Sequence, residues 1–114
     1  MAGRRAKRFS PNRIISVGFQ GIDLRFTGQL VDLSTTGVLV RCRHELKPGT
    51  MGKLAIQAGH DTVRVVGIVR RWVEGVGVAF EFSNMTPRDR ELLHRVIVLL
   101  SGNLAPSAAD DPAT

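Results

Sequence analysis

The sequence predicts a mainly β fold: a small six-stranded antiparallel β-barrel followed by a C-terminal α-helix. Short segments in which apolar and polar residues alternate recur between residues 13 and 82, and turn residues separate them. One stretch with apolar residues at helical spacing follows them. A chain of 114 residues has room for one domain with one core. Strands of this kind bury their apolar faces by closing into a barrel, and an amphipathic helix can cover it.

The first half of the chain contains three predicted strands. They run from Ile15 to Phe19, from Leu24 to Leu33 and from Val38 to Arg43, with apolar side chains at alternate positions. The residues Gln20–Asp23 and Thr35–Gly37 are rich in turn-forming types and separate the strands.

Three more strands follow. We predict them around Lys53–Gln57, Thr62–Val73 and Val76–Phe82. The turn residues Lys47–Thr50 precede the first of these strands, and Glu74-Gly75 connects the last two as a hairpin.

The predicted helix has clear start signals. Thr86 is a good N-cap, Pro87 suits the first helical position, and Asp89 and Glu91 complement the positive end of the helix dipole. We expect the helix to end at Ser101-Gly102. Its apolar stripe consists of Leu92, Leu93, Val96, Ile97 and Leu100.

Composition divides the chain into three parts. Residues 1–12 are a basic arm that we expect to be flexible, and residues 13–102 form the barrel and helix. Residues 103–114 are small, acidic and proline-bearing, which predicts a disordered tail. Because the basic cluster begins at residue 4, we expect a stand-alone domain without another domain before it.

The composition also argues against several classes of protein. No run of apolar residues is long enough to cross a membrane, and no secretory signal is present, so we expect a cytoplasmic protein. Cys42 is the only cysteine and is expected in the core, which excludes an intrachain disulfide. His44, His60 and His94 are scattered, so no metal site is predicted.

The basic residues indicate the partner. The net charge is +6, and thirteen of the sixteen basic residues are arginines. Arginine presents a planar fork of donors that matches phosphate oxygens and the acceptor edge of guanine. The charge therefore favours an anionic or nucleotide partner, although a solvated charge run or a nonspecific nucleic-acid tether has the same composition.

Two short motifs make the partner more specific. The first contains Arg4 and Arg8 within the sequence RRAKR, and the second is DLSTTG, with Asp32, Ser34 and Gly37. In this order, before a barrel and a helix, they resemble the PilZ family of cyclic di-GMP receptors. That family is marked by R-x-x-x-R near the N-terminus and by a later [D/N]-x-S-x-x-G turn.

The resemblance covers residues 4 to 102, including the Gly77–Phe80 strand. It implies cyclic di-GMP as the ligand, with no further cofactor. Thr36 stands where many members have a second glycine, at a variable position of the motif. The ligand-binding residues that the resemblance implies are Arg4, Arg5, Arg8, Asp32, Ser34 and Gly37.

Elementary chemistry agrees with these assignments. An arginine can hold the O6 and N7 edge of guanine or a phosphate, and the Asp32 carboxylate can accept from the N1 and N2 hydrogens of guanine. Ser34 offers a hydroxyl, and Gly37 permits a positive φ and a close backbone approach. Asp32 and Ser34 could instead cap the turn. Trp72 is a core anchor or a surface that stacks on a purine.

No catalytic set is recognisable, so we predict a receptor and not an enzyme. The receptor would pass the signal to an unidentified effector protein as its basic arm becomes ordered on the ligand. In similar proteins such partners belong to motility, exopolysaccharide or secretion systems. Two alternatives stay open: a small basic barrel that binds RNA or DNA, and a protein–protein adaptor whose ligand site has lapsed. Few aromatic residues are available for base stacking, which speaks against nucleic acid.

Overall fold

The computed structural model describes residues 7–104 and contains six antiparallel strands closed into a barrel, followed by one helix. Around the barrel the strand order is β1, β2, β3, β6, β5, β4, and β4 pairs with β1 to close it. The predicted fold class is confirmed. The elements are β1 (Ser16–Gln20), β2 (Arg25–Leu33), β3 (Gly37–Arg41), β4 (Met51–Ala58), β5 (Asp61–Val73), β6 (Gly77–Phe82) and α1 (Pro87–Leu104).

The core is formed by the inward positions of the strands and by the apolar stripe of α1. All five predicted stripe residues of the helix are buried, so α1 covers the apolar interior. Each buried aliphatic side chain contributes about 1.5–3 kcal/mol of transfer free energy, which makes this cluster the main source of stability. The most completely buried side chains include Val17, Leu33, Val38, Val40, Leu54, Ile56, Val63, Val69 and Val78.

Strand β2 contains a bulge that the alternation of residues did not predict. Leu30 is opposite Val40, and Asp32 is opposite Leu39, so one extra residue lies between them. A regular strand would place Leu30 and Asp32 on the same inner face. The bulge instead leaves Leu33 fully buried and Asp32 on the outer face of the barrel.

A second bulge lies in β5. Val69 is opposite Phe80, whereas Arg71 is opposite Ala79, so Arg70 is the extra residue. Regular alternation would point Arg71 into the core along with Val69. The bulge keeps both arginines exposed on the outer face of the barrel.

The start of α1 closes an open edge of the sheet. The first half of β5 extends beyond the end of β6, and the Arg64 backbone N–H donates to Asp89 Oδ1 at 3.0 Å. Asp89 also accepts from the Thr86 hydroxyl at 2.8 Å, while its own backbone N–H donates to Thr86 Oγ1 at 3.1 Å. Thr86 and Pro87 therefore occupy the predicted first positions of the helix. The Arg64 N–H lowers the pKa of Asp89 below its ordinary value of 3.8.

The helix ends at Leu104, two residues beyond the end predicted at Gly102. The Ser101 hydroxyl donates to the Val98 carbonyl oxygen at 3.0 Å, so this serine is accommodated inside the helix and does not stop it. Within residues 7–104 no helix is both long and apolar enough to cross a membrane. Residues 105–114 of the predicted tail lie outside the described residues.

Substitution of Asp89 by Ala should lower the melting temperature at pH 7, because the Arg64 N–H and the Thr86 hydroxyl at the helix start both lose their acceptor. A cap of this kind is worth about 1 kcal/mol, which corresponds to about 4–8 °C in a domain of this size. The pKa of Asp89 is lowered in the folded state, so its contribution is present above pH 3.8 and is lost as the pH falls through the folded pKa.

Thermal melts between pH 7 and pH 3 test this expectation. The matched control is Glu91→Ala, which removes an exposed carboxylate two residues later whose ion pair with Arg95 measures 3.9 Å. The difference between the wild type and Asp89→Ala should narrow as the pH drops below about 4. Equal losses in the two variants would mean that Asp89 acts only through general helix charge.

Candidate functional site

A backbone bridge brings the basic arm to the barrel. The Phe9 N–H donates to the Leu33 carbonyl at 2.8 Å, and the Leu33 N–H donates to the Phe9 carbonyl at 2.9 Å. The Phe9 side chain is half-buried and packs against the core. Because this bridge fixes the residue that follows Arg8, the arginine is held beside the end of β2.

The two sequence motifs meet in an ion pair on the outer face of the barrel. Arg8 Nε lies 2.6 Å from Asp32 Oδ1, and Arg8 Nη1 donates to Ser34 Oγ at 3.3 Å. The Arg8 side chain is 41% exposed and that of Asp32 is 23% exposed, so solvent reaches both groups. An exposed pair of this kind contributes about 0–1 kcal/mol and can exchange for a ligand at low cost.

Ser34 organises the turn between β2 and β3. It is fully buried, and its hydroxyl oxygen accepts from the Thr36 N–H at 3.1 Å and from the Gly37 N–H at 3.2 Å. The Ser34 N–H also donates to the Gly37 carbonyl at 3.0 Å. With Arg8 as a third donor, the oxygen is saturated by protein groups. Its structural role in the turn is therefore the stronger one in this structure.

Gly37 is constrained by β6 and not by its own backbone angle. It is not among the described glycines with positive φ, so the positive φ that glycine permits is not adopted here. The group that approaches Gly37 closely in this structure is protein backbone. A Cβ at position 37 would overlap the Phe80 carbonyl oxygen, because β3 and β6 pair directly there. Glycine is needed so that the motif turn can continue into a paired strand.

The other predicted site residues do not join this cluster. Arg4 and Arg5 lie outside the described residues. Trp72 is opposite Val78, several residues along the sheet from the motif turn, and packs partly against the core. Its indole N–H donates to Glu74 Oε1 at 3.3 Å. Trp72 lines a separate concave region of about 770 Å³ that includes Arg41 and Arg43.

The structure also groups residues that the sequence analysis did not connect. Leu39, Ala79 and Arg71 continue from Asp32 in one straight row across the outer face, each on a neighbouring strand. The sequence signal for the exposed position of Arg71 is that it follows Arg70 directly in β5. Regular alternation would place one of two adjacent arginines in the core, so the pair indicates a bulge. Among residues 7–104 no group of three or more potential metal ligands is found.

Comparison with known proteins agrees with this geometry. The PilZ domain matches residues 3–99, and the chain belongs to the PilZ domain family. No curated protein matches the chain.

Solved structures show the same fold. One is the Bacillus subtilis inhibitor of motility, MotI/DgrA, with a TM-score of 0.72 and 16% identity, over 90% of this chain and 53% of that protein. The chain thus spans about half the length of that relative. The PilZ domain of Escherichia coli YcgR with c-di-GMP has a TM-score of 0.71 and 19% identity, over 87% of this chain and 92% of that one. The PilZ domain of CeSA from a cellulose-synthesizing bacterium has a TM-score of 0.67 and 18% identity, over 84% of this chain and 99% of that one.

Substitution of Ser34 by Ala should destabilise the domain more than Asp32→Ala. The serine change leaves the buried N–H of Gly37 without its acceptor, which costs about 1–3 kcal/mol, whereas the aspartate change removes only an exposed ion pair. Urea unfolding measures both, with Thr35→Ala as a control for an exposed position in the same turn. A larger loss for Asp32→Ala would show that the ion pair, and not the hydroxyl, holds the turn.

Proposed function

We propose that this protein is a non-catalytic receptor for cyclic di-GMP. The observation that carries the proposal is the contact between Arg8 and Asp32, which unites two motifs separated by 24 residues at one exposed point. The family membership and the c-di-GMP described for the YcgR domain support the choice of ligand.

The cluster keeps binding capacity for a ligand. A guanidinium has five N–H donors, and Arg8 uses Nε and one Nη1 hydrogen toward Asp32 and Ser34. Asp32 Oδ1 is engaged by Arg8, while Oδ2 has no hydrogen-bond partner among residues 7–104. The pair therefore offers both free donors and a free acceptor on one surface.

This combination suits guanine. The Asp32 carboxylate can accept from the N1 and N2 hydrogens, and arginine can donate to O6 and N7, donate to phosphate or stack on the base. Because guanine presents donors on one edge and acceptors on another, a site with both chemistries selects it over a purely anionic ligand. Within this proposal Arg4 and Arg5 add positive charge toward the two phosphates.

The signal would pass to an effector protein through the arm. Ligand binding offsets two of the four positive charges of the RRAKR segment and adds contacts to the residues before the Phe9 bridge. Fixing backbone costs about 1–2 kcal/mol per residue, and the new charge-assisted bonds offset it. The ordered arm changes the surface that a partner meets.

Amide hydrogen exchange with and without ligand should show increased protection of residues 4–8, and equal protection would exclude this relay.

Nucleic acid is the less favoured ligand. Phe19 and Phe80 are buried, and the other four aromatic residues are half-buried and packed on the core, so the described barrel lacks an exposed stacking surface; these four are Phe9, Phe26, Trp72 and Phe82. Salt dependence separates the two ligands, since nucleic-acid affinity falls steeply with salt through counterion release. Cyclic di-GMP carries only two phosphates and should show a shallow slope.

Substitution of Arg8 or Asp32 by Ala should weaken cyclic di-GMP binding at least tenfold, because each removes charge-assisted hydrogen bonds worth about 1.5–3 kcal/mol. Isothermal titration calorimetry on folded protein measures the affinity. The matched controls are Arg25→Ala and Asp23→Ala, exposed residues of the same types near the other end of β2. Absence of heat with the wild type at micromolar ligand would overturn the proposed function.

A further inference from the structure

The outer face beside the ion pair is a row of four directly paired residues. Asp32 in β2 is opposite Leu39 in β3, Leu39 is opposite Ala79 in β6, and Ala79 is opposite Arg71 in β5. Both bulges are required for this row, because without them Asp32 and Arg71 would point into the core. The row therefore has a charged group at each end.

The middle of the row is apolar, and its side chains project little from the surface of the sheet. Leu39 and Ala79 are half-buried, and Gly37 lies beside them on β3 without a side chain. This provides a flat surface of the kind on which a nucleobase or ribose can lie. The two charged ends are three strand spacings apart, about 14 Å along the sheet. Flexible arginine side chains at both ends shorten the distance that a ligand must bridge.

Arg71 is the cation that is available at the far end. Its neighbour Arg70 is engaged, with Nε 3.0 Å from Glu81 Oε1. Among residues 7–104, no carboxylate lies within salt-bridge distance of Arg71. An arginine that is exposed, unneutralised and directed onto the same face as the ion pair can bind an anionic or guanine group.

We propose that Arg71 is a further ligand-binding residue and that the site extends from Arg8 and Asp32 across Leu39 and Ala79 to β5. This inference rests on the proposed function. Cyclic di-GMP consists of two identical nucleotide halves, so one half binds at the ion pair and the other reaches Arg71. Arg71 donates to the phosphate or to the O6 and N7 edge of that second half.

Calorimetry with cyclic di-GMP tests the inference. Arg71→Ala should raise Kd about tenfold or more, as expected for the loss of a charge-assisted hydrogen bond. Arg71→Lys should give an intermediate Kd, since lysine keeps the charge but not the fork of donors. The matched control is Arg64→Ala, an exposed arginine seven positions earlier in β5, which should change Kd less than twofold.

A second variant tests the apolar floor. Ala79→Glu places a bulky anion in the middle of the row and should weaken binding at least as much as Arg71→Ala. Thermal melts of all variants show whether the barrel is intact; if Arg71→Ala is unfolded, Arg71→Lys and Ala79→Glu decide the question.

The outcomes separate the two proposals. If the wild type binds the ligand and Arg71→Ala binds as tightly as Arg64→Ala, the extended site is wrong while the receptor function stands. If the folded wild type binds no cyclic di-GMP, both are overturned. A selective loss in Arg71→Ala, partly restored in Arg71→Lys, establishes the extended site.

Discussion

Strand β2 carries one residue more than β3 between Leu30 and Asp32, and this reverses the face that each later residue occupies. Because strand side chains alternate, the same sequence without the bulge would bury a carboxylate and expose Leu33. Burial of an unpaired carboxylate is prohibitively unfavourable, whereas Leu33 contributes fully to the core. The bulge thus satisfies the core and the site together, and the position of the motif turn depends on it.

Leu33 contributes both to the core and to the site. Its side chain packs inside the barrel, while its backbone groups pair with Phe9 outside the regular strands. Arg8 is therefore positioned by a bridge to a residue whose side chain is fully buried in the core. Although the Arg8–Asp32 ion pair adds little stability, its geometry is determined by elements that are stable for other reasons.

The sequence was sufficient to predict the six strands and the start of the helix. It also identified the two motifs that contain Arg8 and Asp32, the residues of the ion pair. Alternation and capping are local signals, and they predicted the strand segments and the first turn at Thr86 well. They did not reveal the bulges, because a bulge depends on which strand lies opposite. They also did not predict that the Phe80 carbonyl oxygen leaves no room for a side chain at Gly37, or that Arg71 lies in the same row as Asp32. Each of these depends on register between strands distant in sequence.

Between Asp61 and Val66, β5 has a neighbouring strand on one side only, and Asn84 and Asp89 close the other side. Detachment of the helix start would leave unpaired backbone groups next to the apolar residues Val63 and Val65. An uncovered edge of this composition is a template for pairing with the same edge of a second molecule. Loss of the contact between Asp89 and the Arg64 N–H therefore favours self-association through β5. The helix protects this strand edge against aggregation and also covers the core.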